Sequence, residues 1–228
     1  MIKIDNCEVT GWQHAIRGMR NPMNSWDKSD SGFFPVQDKN TGDTWIEYVV
    51  RENDLNLMKN LVKAGSDHSK FMRMITVYVD ITAPLYWWKE FDTYKVGTTA
   101  NSTSTMHKIH SKPIELSDLS VDNTDLIIDE PFEMNGRTCE GFTVKDLADW
   151  LVEDLERLRK IYLETNDKRY WRALIQFLPS SYNQKRTVCL NYAVLRNMYH
   201  SRKNHKLDEW REFCKWIETL PYAELITI

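Results

Sequence analysis

The stretch TVKDLADWLVEDLERLRKIYLE, residues 143–164, narrows the possible folds more than any other part of the chain. Val144, Leu147, Leu151, Leu155, Leu158 and Tyr162 recur at helical spacing and draw one apolar stripe. Thr143 and Asp146 occupy the positions of a capping box, with Asp in the acidic place. The chain also contains MRMITVYVDI, residues 72–81, dense in the β-branched and aromatic residues of a buried strand. No internal repeat and no linker separates these elements. One α+β domain over residues 1–228 is the simplest reading.

The remaining elements follow from period and punctuation. Residues 1–10 alternate as a strand. Residues 18–43, rich in Asn, Ser, Asp and Pro, read as a long loop. Residues 53–64 form a short helix, with Asn53 as its cap, Leu57, Met58, Leu61 and Val62 on one face, and Gly65 as its stop. Pro84 ends the buried strand, and LYWWKEFDTYK resumes with helical spacing. The hydroxyl-rich run from Thr98 to Thr105 reads as loop, and residues 111–131 as irregular. Residues 170–178 are a helix stopped by Pro179, and a helix begins near Asn191 after an ambiguous start at 187. The last helix, 207–220, turns Leu207, Trp210, Phe213, Cys214 and Ile217 inward.

Composition excludes several classes. A net charge of −3 does not favour bulk attraction to nucleic acid or to an acidic membrane. Cys7, Cys139, Cys189 and Cys214 are far apart and form no CxxC pair, which argues against a disulfide framework and for a reduced, cytoplasmic setting. No basic flank with an apolar run opens the sequence, and no run of about 18 apolar residues implies a membrane span. P-loop, GxGxxG, HExxH and GxSxG motifs are absent from the sequence. His107 and His110 stand three apart, but no further ligand at metal spacing completes a set, so no metal is expected. Asp125, Asp129, Glu130 and Glu133 read as a solvated acidic loop.

Two features remain open. Nine Trp and ten Tyr suit a core, a subunit interface or a flat ligand, and Trp87 and Trp88 read as core or interface. Arg196, Arg202, Lys203 and Lys206 lie on or near a helix end, where they either complement the helix dipole or grip an anion.

The order of motifs resembles the flavin-dependent thymidylate synthases over most of the chain. HAIRGM at 14–19 is similar to that family's early Ala-x-Arg segment. The helix at 53–64 leads to a segment in which His68 stands for the family's Gly-His histidine. After Ala83 and Pro84, the family carries Arg-His-Arg, seven residues and Ser. Here Thr93, Tyr94 and Lys95 are followed by seven residues and Thr103, which keeps one cation and one hydroxyl in register. Leu178, Pro179, Asn191, Asn197 and Arg202 match the family's closing pattern in spacing and type.

The resemblance implies a single α+β domain with a mostly antiparallel central sheet flanked by helices, assembled as a homotetramer with sites between subunits. It implies FAD as cofactor, NADPH and methylenetetrahydrofolate as co-substrates, and methylene transfer to C5 of dUMP with a hydride from reduced flavin. Arg202 and His68 would be catalytic. His68, Lys95, Thr103, Asn191 and Asn197 would bind flavin, and Ser102, Ser104 and Arg202 would bind substrate. Arg73, Arg172 and Arg186 are candidates for the missing guanidiniums. Two other readings stay open: a relative that modifies another pyrimidine nucleotide, and a non-catalytic nucleotide-binding or assembly protein on the same scaffold.

Overall fold

The computed structural model describes residues 2–134, 137–139 and 141–228, and the side chains of residues 134–140, Cys139 among them, lie outside the described set. The chain opens with β1 (Lys3–Thr10), α1 (Trp12–Arg20), β2 (Gly32–Gln37), β3 (Thr44–Val49) and α2 (Glu52–Lys63). It continues through β4 (Thr76–Pro84), α3 (Leu85–Phe91), β5 (Thr99–Ser102), α4 (Thr105–Lys108), β6 (Ile127–Asp129), β7 (Phe132–Met134), β8 (Arg137–Cys139) and β9 (Phe142–Thr143). It closes with α5 (Val144–Thr165), α6 (Lys168–Phe177), β10 (Asn183–Asn191), α7 (Tyr192–Arg202), α8 (Asp208–Ile217) and α9 (Glu224–Thr227). The class is α+β, with antiparallel pairing and helices, as the sequence implies.

The residues group into two compact units. The first comprises 2–81, 92–101 and 187–228, and the second 82–91 and 102–186. A four-stranded sheet in the order β1-β4-β10-β5 carries most of its residues in the first unit. Val77, Val79 and Ile81 are buried along β4, and Val188 and Leu190 along β10. The α8 residues Trp210, Phe213, Cys214 and Ile217 are all buried, as their spacing predicts. Burying side chains of this size contributes on the order of 1.5–3 kcal/mol each.

The segment read as a long loop at 18–43 is a correction. It contains the end of α1, two 3-10 turns (Asn21–Met23 and Trp26–Lys28) and β2, whose antiparallel partner β3 lies just beyond it. Asp54 organises it. Its carboxylate, with no solvent exposure, takes Nε and Nη2 of Arg20 at 2.7 Å each, the Ser29 hydroxyl at 2.7 Å and the Ser31 amide at 3.1 Å. Asn53 does not cap α2 as expected. It lies inside the helix, and the Asp30 carboxylate accepts from the amides of Asn53 and Asp54 at 2.9 and 3.2 Å. Gly65 ends the helix with φ of +111°, as read.

The second unit is built on α5. Thr143 caps it, with the reciprocal Asp146 bond of a capping box. Leu155 of its stripe packs with Ile109, Ile114, Leu119, Leu174 and Tyr182. Leu147 of the same stripe is 52 % exposed. Trp87 and Trp88 are core: both are buried, each within about 5 Å of Phe91 by ring centroid (5.1 Å), and Trp88 Nε1 donates to the Gln184 carbonyl at 2.9 Å. The hydroxyl-rich run is not plain loop, because it forms β5 and then α4, capped by Ser104. The first residues of MRMITVYVDI are likewise a 3-10 turn, Lys70–Met74, and the strand proper starts at Thr76.

Candidate functional site

In the first unit a cavity of about 520 Å³ lies between the end of α2 and α7. Its floor is a tight turn. The Gly65 carbonyl accepts the amides of His68 and Ser69 at 3.1 Å each, and the Ser69 hydroxyl at 3.1 Å. Only a residue tolerant of positive φ fits at Gly65, so the turn and the helix stop are one device. His68 is exposed on this turn. Arg73 reaches the same cavity from the 3-10 segment that follows, and α7 contributes Arg196, Asn197 and His200. No carboxylate lines the cavity among the described residues. The Arg73 guanidinium and the Asn197 amide suit an anionic, oxygen-rich ligand.

Arg196 has a second task. It donates to the carbonyl oxygens of Ile226, at 3.2 Å, and Ile228, and it contacts the His200 ring at 2.6 Å. It therefore ties the chain's last residues to α7. Asn197 is exposed, and the Ser201 hydroxyl donates to its Oδ1 at 3.4 Å.

One helical turn on, Arg202 is clamped. Its Nε donates to the Tyr94 hydroxyl at 2.9 Å, and its guanidinium lies 4.8 Å from the Trp210 ring centroid and 5.6 Å from that of Tyr94. Stacking on two aromatic rings fixes the plane of the guanidinium. Asn191 is the N-cap of α7: its Oδ1 accepts from the Val194 amide at 3.1 Å, and its Nδ2 faces the Gly97 carbonyl at 3.5 Å. Gly97 has φ of +78°, and a Cβ there would meet Asn191 Nδ2 at 2.8 Å. Lys95 is exposed on the loop leading to Gly97.

Thr103 and Ser104 belong to the second unit and line a separate cavity of about 350 Å³ with Lys108, Lys112 and Lys185. Thr103 is bound through amide and hydroxyl to the Lys185 carbonyl, at 2.9 and 3.3 Å. Ser104 Oγ accepts from the His107 amide at 3.0 Å. Ser102 is exposed at the end of β5.

The structure thus gathers Asn197, the His68 turn and Arg73 about one cavity, and Thr103 and Ser104 about another. Of the candidate guanidiniums, Arg73 lines the first cavity, Arg186 lies 4.2 Å over the Trp88 ring, and Arg172 is exposed on α6. The clamp residues Tyr94 and Trp210 and the three lysines escaped the sequence reading. Tyr94 was signalled only by its place in the degenerate motif. Neither Cys214 nor Cys7 is set up as a nucleophile in the way an active thiolate is: burial pushes the Cys214 thiol up to about 11 and raises that of Cys7. No group of three or more His, Cys, Asp or Glu residues is placed to hold a metal among the described residues.

No family model matches the sequence, and no curated protein matches it. Solved structures do match it in fold. The flavin-dependent thymidylate synthase ThyX of Helicobacter pylori, solved with FAD and dUMP, superposes with a TM-score of 0.65 at 17% identity, covering 100% of both chains. A second structure of that enzyme with FAD and dUMP gives 0.64 at 18% identity, covering 99% of this chain and 98% of the other. A UMP/dUMP methylase from Streptomyces cacaoi, bound with 5-bromo-UMP, gives 0.61 at 12% identity, covering 100% of this chain and 94% of its own.

Proposed function

We propose that this chain, which carries the fold of the flavin-dependent thymidylate synthases, is a flavin-dependent methyltransferase of pyrimidine nucleotides. Its substrate is dUMP, its one-carbon donor methylenetetrahydrofolate, its cofactor FAD and its reductant NADPH. The observation that supports this reading most is the cavity between α2 and α7. The Arg-His-Arg positions have become Thr93, Tyr94 and Lys95, yet Arg73 brings a guanidinium to a cavity beside the His68 turn that no carboxylate lines among the described residues. These residues fit an anionic dinucleotide.

Arg73 and Asn197 would hold FAD, with His68, Lys95 and Asn191 at its edge. When bound, FAD supplies the hydride of the reaction. The chain's own work is to bind, orient and polarise. Arg202 would stabilise negative charge on the uracil carbonyl, and its aromatic clamp means that no reorganisation is needed as that charge develops. Ser102 and Ser104 would bind the substrate. The same reading carries a homotetramer, with sites between subunits, in the cytoplasm.

The test is the visible spectrum of the purified protein, before and after adding FAD and removing the excess. Flavin bands near one flavin per chain are expected, with FAD- and folate-dependent methylation of dUMP. A colourless protein that does not take up FAD overturns the reading. UMP belongs in the same assay, because the fold is shared with a UMP/dUMP methylase. Flavin bound, with turnover of UMP alone, would identify the substrate as the ribonucleotide.

A further inference from the structure

A third cavity, of about 1050 Å³, lies wholly within the first unit, among the end of β1, the start of α1, the β2–β3 hairpin and residues 216–222. It is walled by rings: Trp12, Phe33, Tyr48, Trp216 and Tyr222 all line it. Two pairs meet edge to face, Trp12 with Tyr222 at 4.9 Å between centroids and Phe33 with Tyr48 at 5.3 Å. Tyr222 is held at both ends. Its hydroxyl takes the Val50 amide at 3.0 Å and donates to the Val50 carbonyl at 3.3 Å. Its backbone has φ of +52°, a left-handed conformation that bulky side chains rarely adopt, and the fold places the ring at the cavity despite that strain.

The charge of the lining is one-sided. Glu8 and Glu47 line the cavity, and no lysine or arginine does. Trp45 Nε1 donates to Glu47 Oε2 at 3.2 Å, and neither carboxylate forms an ion pair among the described residues. Burial raises the Cys7 thiol and the Tyr48 phenol, so both stay uncharged at neutral pH. Two helix ends border the space. The start of α1 carries a partial positive charge and the end of α8 a partial negative one, and the two offset each other. The two full carboxylates therefore decide the sign.

We propose that this cavity binds a small organic cation, an ammonium group carried on an apolar body. The face of an aromatic ring attracts a cation and packs well against the methyl or methylene groups around it. A bare metal ion does not suit the site. Rings stand where such an ion needs oxygen donors, and no cluster of three metal-ligating side chains is placed here among the described residues. The volume is at the top of roughly 300–1,000 Å³ for ligand cavities, which leaves room for a body well beyond the ammonium group. FAD, dUMP, NADPH and methylenetetrahydrofolate are all anions, so a lining of this sign disfavours each of them. The cation site stands or falls independently of the function proposed above.

Calorimetric titration of the full chain with choline and with 3,3-dimethylbutan-1-ol, its uncharged isostere, isolates the charge. Choline should bind about ten-fold tighter than the alcohol. Hexyltrimethylammonium, with a longer apolar body, should bind tighter than choline. Glu8→Gln with Glu47→Gln should bring choline down to the level of the alcohol, and leave the alcohol and flavin uptake unchanged. Phe33→Leu removes a ring but keeps an apolar side chain, and should weaken choline several-fold. All three side chains are exposed, so the fold should survive, as circular dichroism would verify. A parent chain that binds neither compound, or binds choline no tighter than the alcohol, overturns the proposal. Choline affinity within two-fold of the parent in the glutamine pair does the same.

Discussion

Two arginines in the first unit show how a residue's environment sets its task. Arg20 and Asp54 are 5 % and 0 % exposed, and each meets the other's hydrogen-bonding demand. Burial raises the Asp54 carboxyl, but bonds from Ser29, Ser31 and Arg20 outweigh it, and the net direction is down. A carboxyl depressed in the folded state stabilises the fold above its unfolded pKa, about 3.9. That stability is lost as pH falls through the lower folded value. Asp54→Ala leaves Arg20 buried without its partner and should cost about 3–5 kcal/mol in urea unfolding at pH 7. The variant should also lose less stability than the parent below about pH 4. An Asp54→Ala chain as stable as the parent would show that the pair is not what orders residues 21–31.

Arg202 is built differently, with aromatic rings and the Tyr94 hydroxyl against its guanidinium. Tyr94→Phe removes only the oxygen that Nε reaches at 2.9 Å. Stacking remains, so flavin uptake should be unchanged, while kcat with dUMP falls roughly ten-fold, the equivalent of about 1.4 kcal/mol. Arg202→Ala should abolish turnover. If either variant keeps kcat within two-fold of the parent, the uracil role assigned to Arg202 is wrong. The sequence showed that Tyr94 displaces a motif residue. It could not show that the displaced position meets Arg202 and Trp210, because that contact joins residues more than a hundred positions apart.

At the scale of elements, legibility followed the source of order. The α5 helix carries its own instructions in the Thr143–Asp146 box and the 3.6-residue stripe, and α7 carries Asn191, so both were readable from local sequence. The β2–β3 hairpin was not. Pro35 sits inside β2, which demotes a strand assignment unless the strand is an edge, as each strand of a two-stranded sheet is. Its connection is held by Asp38, whose carboxylate accepts the Asn40 and Thr41 amides at 2.6 and 3.1 Å, and these bonds lower its pKa. Such loop chemistry looks like disorder in a sequence and is order in a structure. The role of Asn191 is a further lesson, since the residue matched to a cofactor contact is also the cap that starts α7. Asn191→Ala should cost about 1 kcal/mol of stability. Because α7 carries Asn197 and Arg202, FAD affinity should fall with it. Asn191→Asp, which keeps a capping oxygen, separates the two roles: stability returns, and FAD affinity returns only if the amide makes no contact with flavin.

Both units expose large apolar side chains. In the first unit Ile46 is 72 % exposed and Phe33 62 %, and in the second Trp150 is 62 % and Phe177 66 %. Scattered apolar residues are normal on a surface, but these come in groups. Phe33 packs its ring on Tyr48 at 5.3 Å on the exposed hairpin. Phe177 borders a groove with Leu151, Leu158 and Ile161 on α5. Grouped apolar surface of this kind marks association, and closed symmetric assemblies of identical chains are its commonest form. Light scattering on the eluting protein at micromolar concentration should therefore give a mass of about four times the chain's 27.1 kDa, as the proposed homotetramer requires. Phe177→Asp and Phe33→Asp place a charge on one group each, and a drop in mass for either variant would locate an interface on that group. A single species near the chain mass in the parent would remove the tetramer. Any site assembled between subunits would go with it, and Arg202 and the α2–α7 cavity would have to act within one chain.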